Sequence, residues 1–103
     1  MKLEISQAAD EEAGAAADWY NAQRRGLGTD FLEALDRLLA RVVDAPESYS
    51  RVEDYTGVRD LRQGLLRPFP YKVIFEAVSQ EKLIVLAVAH TSRRPGYWRD
   101  RLA

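Results

Sequence analysis

The chain has 103 residues, of which 47% are hydrophobic and 10% aromatic, with no cysteine and 15 basic against 16 acidic side chains for a formal net charge of -1. A chain of this length forms one domain, here residues 1–103, and buries roughly two-thirds of its unfolded surface without a metal or a crosslink. The absence of cysteine excludes a disulfide framework, a thiol nucleophile and a thiolate zinc site, and points to a reducing cytoplasm.

Residues 2–6 alternate, with Leu3 and Ile5 apolar, and predict a short first strand. Ser6 then suits a helix N-cap, and Asp10, Glu11 and Glu12 suit the positive end of the helix dipole, where consecutive side chains fan apart into a solvated turn. Ala9, Ala13, Ala16 and Tyr20 form one helical stripe, widened by Ala17 and Trp19, and Gly26 and Gly28 end it in a turn. Thr29 is the expected cap of a second helix, with Phe31, Leu35, Leu38 and Val42 in one row, Leu32, Leu39 and Val43 in the next, and Pro46 at its end. Two amphipathic helices joined by a few residues fold back as an antiparallel hairpin with one combined apolar face.

Residues 47–57 are polar and turn-like. Beyond them, residues 58–66 predict a strand with Gly64 as a bulge, and Arg67-Pro68-Phe69-Pro70 breaks the pairing. Tyr71, Val73, Phe75 and Ala77 alternate against Lys72, Ile74 and Glu76, and residues 79–81 make a hairpin connection. Residues 83–90 are apolar on both faces, as in a central, doubly covered strand. This run is far too short for the ~20 residues of a membrane helix, and the N-terminus lacks the apolar core of a signal peptide. The order predicts an α+β fold, β-α-α-β-β-β, with a helical hairpin packed on a small antiparallel sheet. A basic, aromatic end follows, from Thr91 to Arg101.

Gly26-Leu27-Gly28 before Phe31-Leu32, then Phe69-Pro70-Tyr71 with Val73 and Phe75, then Leu86-Ala87-Val88-Ala89-His90 with Arg93, Pro95, Tyr97 and Trp98, together resemble the ParE branch of the RelE/ParE toxins. These are the toxin halves of bacterial type II toxin-antitoxin, or plasmid stabilisation, systems. The chain departs from the pattern at Pro68, where many relatives carry a basic residue or glycine. The resemblance implies the same element order, a cognate ParD-like antitoxin as partner, and DNA gyrase as a target inhibited by protein contact. RelE-like members instead cleave messenger RNA on the ribosome.

The residues offer material for both activities. Metal-free RNA cleavage needs a base, an acid and cations for the charge on phosphorus, and the candidates are Arg62, Arg67, His90, Arg93 and Tyr97. Arg59 and Arg62 differ by an odd number of positions and point to opposite faces of a regular strand, which counts against a nuclease site. Binding without catalysis would draw on Arg93, Arg94, Tyr97, Trp98 and Arg99, since aromatics beside arginines make interface hot spots; Tyr97 and Trp98 are equally suited to closing the core. A third reading keeps the fold only as an antitoxin-binding or structural module. One histidine without cysteine argues against a zinc site, Gly26-Leu27-Gly28 follows a helix and lacks the lysine of a phosphate loop, and no cofactor is implied.

Charge distribution is more informative than charge total. Residues 1–57 carry a net -6 and residues 58–103 a net +5. The total argues against sequence-specific nucleic-acid binding, while the division predicts an acidic helical side and a basic sheet and tail suited to an acidic protein partner.

Overall fold

The computed structural model describes residues 1–102. Strand β1 (Lys2–Ile5) leads into helix α1 (Gln7–Gln23), helix α2 (Leu27–Asp44) and a 3-10 turn at Pro46–Ser48. Strands β2 (Ser50–Arg51), β3 (Leu61–Leu65), β4 (Tyr71–Ser79) and β5 (Lys82–His90) follow, and a second 3-10 turn at Arg99–Arg101 ends the chain's regular structure. The sheet order is β1-β5-β4-β3-β2; β1 runs parallel to β5 and the other pairs are antiparallel. The architecture is the α+β one expected from the periodicity, with one strand more. The two-residue β2 pairs with Arg62 and Gln63 and is too short to leave an alternating pattern.

The caps show what local sequence decides and what it does not. Ser6 Oγ accepts the Ala9 amide at 3.1 Å, as expected for an N-cap. Helix α2, however, starts at Leu27 and not beyond Thr29: Gly26 turns the chain at φ 89°, and the Asn21 side chain on α1 accepts the Gly28 amide at 2.8 Å. A first-turn donor is thus satisfied from the neighbouring helix, which lets α2 begin early. Gly28 belongs to the helix and not to the turn, and a Cβ there would overlap the Ala17 carbonyl oxygen of α1. Close helix approach at Gly28, Ala13, Ala16 and Ala17, all buried, is what the small residues provide.

The helical hairpin covers one sheet face. Its core joins Phe31, Leu35, Leu38 and Val42 to Val73, Phe75, Leu83, Val85 and Val88, with a ring cluster of Tyr20, Phe31, Phe69 and Tyr71 at one end. The expected alternation of β4 is observed, with Tyr71, Val73, Phe75 and Ala77 toward the helices and Ile74 on the opposite face. Strand β3 is shorter than the residues 58–66 anticipated. Tyr55 Oη accepts the Arg59 amide and holds the preceding loop off the sheet, leaving Val58 fully exposed. Gly64 is in regular register with Val73 and is no bulge; it sits beneath Tyr49 and Leu38, where a Cβ would come within 3.1–3.3 Å of both. The irregularities lie instead between β4 and β5, where Leu86 is the extra residue between the Phe75–Val85 and Ile74–Ala87 pairs. The Arg67–Pro68 peptide is cis. No described helix is long and apolar enough to cross a membrane.

Candidate protein-interaction surface

The chain after β5 crosses the sheet face that the helices leave open. The Thr91 amide extends the β4–β5 ladder to Pro70 O, and a run of tight turns then carries the chain, with the Arg93 amide on His90 O, Tyr97 on Arg94 O, Arg99 on Gly96 O and Arg101 on Trp98 O. Gly96 has φ 74°, a left-handed position that favours glycine. Trp98 is 2% exposed and packs into a second small core with Leu61, Ile74, Leu86 and Ala87. Its proposed place in a target contact is therefore corrected: the indole fills the outer sheet face, where it removes a large apolar area from water. The chain's own tail thus covers β5 on that side.

Tyr97 packs, partly buried, against the same cluster, and its hydroxyl reaches the sheet edge. Because β1 pairs only as far as Val85, the backbone of β5 beyond it lacks a strand neighbour on that edge, while β4 pairs with it on the other. Glu12 of α1 occupies this place. Its carboxylate accepts the Val88 amide at 3.0 Å, the Tyr97 hydroxyl at 2.5 Å, and both terminal nitrogens of Arg101 at 2.9 and 3.1 Å. Arg101 also donates to Leu86 O at 3.0 Å. Burial pushes the Tyr97 phenol well above its ordinary value, and the Glu12 carboxylate adds to the rise, so the phenol stays a donor. Hydrogen bonding to Glu12 raises Arg101 against the opposing effect of burial.

Around this knot the cations are displayed. The Arg93 guanidinium lies 4.0 Å from the Tyr97 ring centroid, and Arg101 lies 5.1 Å from it on the same ring. Arg93, Arg94 and Arg99 are exposed, and Arg99 donates to Asp54 O. Arg93 also borders an open groove of about 260 Å³ lined by Glu12, Ala15, Ala16, Trp19, Tyr71, Val88 and His90. Trp19, 58% exposed, stands at its rim.

The residues of the nuclease reading are distributed differently. His90 Nδ1 accepts the Ser92 amide at 3.0 Å and lies 2.7 Å from Ser92 Oγ, and its ring packs edge-on to Tyr71. His90, Arg93 and Tyr97 share one end of the sheet, and Arg67 leaves β3 at that same end. Arg62 does not join them. It is in register with Phe75 and, through it, with Val85, five residues from His90 along β5, which at ~3.3 Å per residue is on the order of 15 Å. Its guanidinium instead binds Asp60 at 2.9 Å and the Tyr49 and Glu47 carbonyls at 2.8 and 3.2 Å, tying the β2 loop to β3. Arg59 pairs with Glu76 on β4 at 3.7 Å.

Two residues of this surface were not singled out in the sequence. In the sequence Glu12 reads as a solvated member of an acidic turn, although it lies three residues after Ala9 and four before Ala16, on the margin of the buried stripe. By spacing Trp19 falls on the stripe itself, yet its ring faces solvent.

The chain matches one family over residues 3–95, the ParE toxin of the type II toxin-antitoxin system, parDE. The chain belongs to the ParE toxin family. A search of curated protein sequences gives no significant match. Among solved structures, one described as the chromosomal ParDE TA system from P. aeruginosa is similar, with a TM-score of 0.74, 14% identity, and coverage of 87% of this chain and 95% of that one. That likeness is one of fold. The ParE match ends at Pro95, so Tyr97, Trp98 and Arg101 lie just past it.

Proposed function

We propose that this ParE-family toxin arrests growth by binding a bacterial protein, DNA gyrase, and that a cognate ParD-like antitoxin neutralises it. The observation that carries the reading is the anchored basic segment: Arg93, Arg94 and Arg99 project from turns held by a buried tryptophan and a carboxylate that accepts four hydrogen bonds. Such pre-organisation favours protein recognition, because few side-chain and loop degrees of freedom are left to freeze on binding. The displacement of Arg62 from His90, Arg93 and Tyr97 weighs against the alternative, ribosome-dependent messenger cleavage, because its cations and proton donors do not surround one phosphate. Co-expression with the neighbouring small reading frame, release of the toxin and a supercoiling assay test the proposal. Inhibition of supercoiling with an SOS response is expected. Early transcript cleavage would establish the nuclease instead, and the absence of any growth arrest would leave an antitoxin-binding module.

A further inference from the structure

We propose that Glu12 is a positioning residue for target binding, locking the basic segment 91–101 to α1 and β5 so that its arginines are displayed in one arrangement. The inference rests on the reading of that segment as the target contact. Glu12 is the α1 side chain that ties this helix to both the open edge of β5 and the tail. Its Oε1 takes the Val88 amide from the open edge of β5 and one Arg101 nitrogen; its Oε2 takes the Tyr97 hydroxyl and the other Arg101 nitrogen. The Arg101 fork is bidentate, the geometry in which an arginine fixes direction as well as distance. The two side chains are only 18% and 24% exposed, so water is a poor substitute for either partner.

The effect reaches the exposed cations through Tyr97. Tyr97 is the platform under the Arg93 guanidinium, and its hydroxyl bond to Glu12 fixes the ring's orientation. Removing the carboxylate leaves a strand-edge amide, a phenol and a guanidinium without their shared acceptor. The tail then keeps Trp98 and Tyr97 against the outer sheet face and the Arg99 and Arg101 bonds to the Asp54 and Leu86 carbonyls, but loses its lock to α1. A loosened tail offers its arginines as a spread of positions, and binding has to select among them.

The test uses full-length toxin carrying Glu12→Gln, with Glu11→Gln as a control that removes the same charge from an exposed position of the same helix turn. In a Trp19→Phe background Trp98 is the sole tryptophan, and acrylamide quenching of its fluorescence reports tail release; far-ultraviolet circular dichroism reports the fold. For E12Q, severalfold faster quenching and at least tenfold weaker gyrase inhibition are expected at unchanged helix content, with E11Q like the parent. Parental quenching in E12Q overturns the proposal. So does faster quenching with full inhibition, provided an Arg93→Ala/Arg94→Ala variant shows a loss. If that double variant also inhibits fully, the segment is not the target contact and the underlying reading fails. Should E12Q not fold, Tyr97→Phe removes one of the four bonds and keeps the ring: intermediate quenching and inhibition support the proposal, and parental values in both overturn it.

Discussion

Burial raises the Glu12 carboxyl, but hydrogen bonds from Arg101, Tyr97 and Val88, with the Arg101 charge, outweigh it and hold the group below its ordinary 4.5. A carboxyl with a lowered folded-state value contributes stability that is fully present above the unfolded value and is lost as pH falls through the folded one. Acid titration of stability should therefore show a limb below about pH 4.5 that Glu12→Gln flattens, measured as the denaturation midpoint against pH. The second residue-scale prediction concerns Trp98. Truncation to alanine leaves a hole among Leu61, Ile74, Leu86 and Ala87 and should cost ~3–5 kcal/mol in denaturant unfolding, a loss far larger than a surface tryptophan would show. The same substitution at Trp19 should change stability by less than about 0.5 kcal/mol beyond helix propensity.

Glycines separate local propensity from contact at the scale of the helix pair. Gly14 and Gly28 both lie within helices, yet a Cβ meets nothing within 4 Å at Gly14 and overlaps the Ala17 carbonyl at Gly28. Gly14→Ala should stabilise the protein by about 0.5–1 kcal/mol, and Gly28→Ala should destabilise it; thermal melting of the two variants checks the opposite signs. The sequence disclosed a good deal at this scale. Ser6 capping, the Phe31 row and the β4 alternation follow from local chemistry and period, so they were readable. The start of α2 depends on Asn21 reaching across from α1, and the length of β3 on Tyr55 pinning a loop, so neither left a mark on the nearby pattern. The candidate surface was half legible for the same reason. Arg93, Arg94 and Arg99 are exposed on the basic tail, but the burial of Trp98 on the outer sheet face and the reach of the Tyr97 hydroxyl to Glu12, 85 positions away, are decided by non-local contacts.

Across the whole molecule the charge division has a physical location. The acidic excess is carried mainly by the helices and the loop after them, and the basic excess by β3–β5 and the tail. Association with an acidic partner through this side should be steered, and its rate should fall as salt rises from 50 to 500 mM, because the screening length shrinks from roughly 14 to 4 Å over that range. Stopped-flow measurements with the antitoxin or gyrase check this, and an Arg93→Ala/Arg94→Ala/Arg99→Ala variant should show a flatter salt slope.

The parallel pairing of β1 with β5 sets an order on events during synthesis. Lys2 is in register with Lys82 and Ile5 with Val85, so the first strand made has no strand partner until the last one has been translated. Closing that long loop is a slow, non-local step. The tail that carries the arginines docks on β5 and on Glu12, and so acquires its shape only after the sheet is complete. A nascent or prematurely terminated chain thus lacks this surface, which first exists when the last strand has closed the sheet.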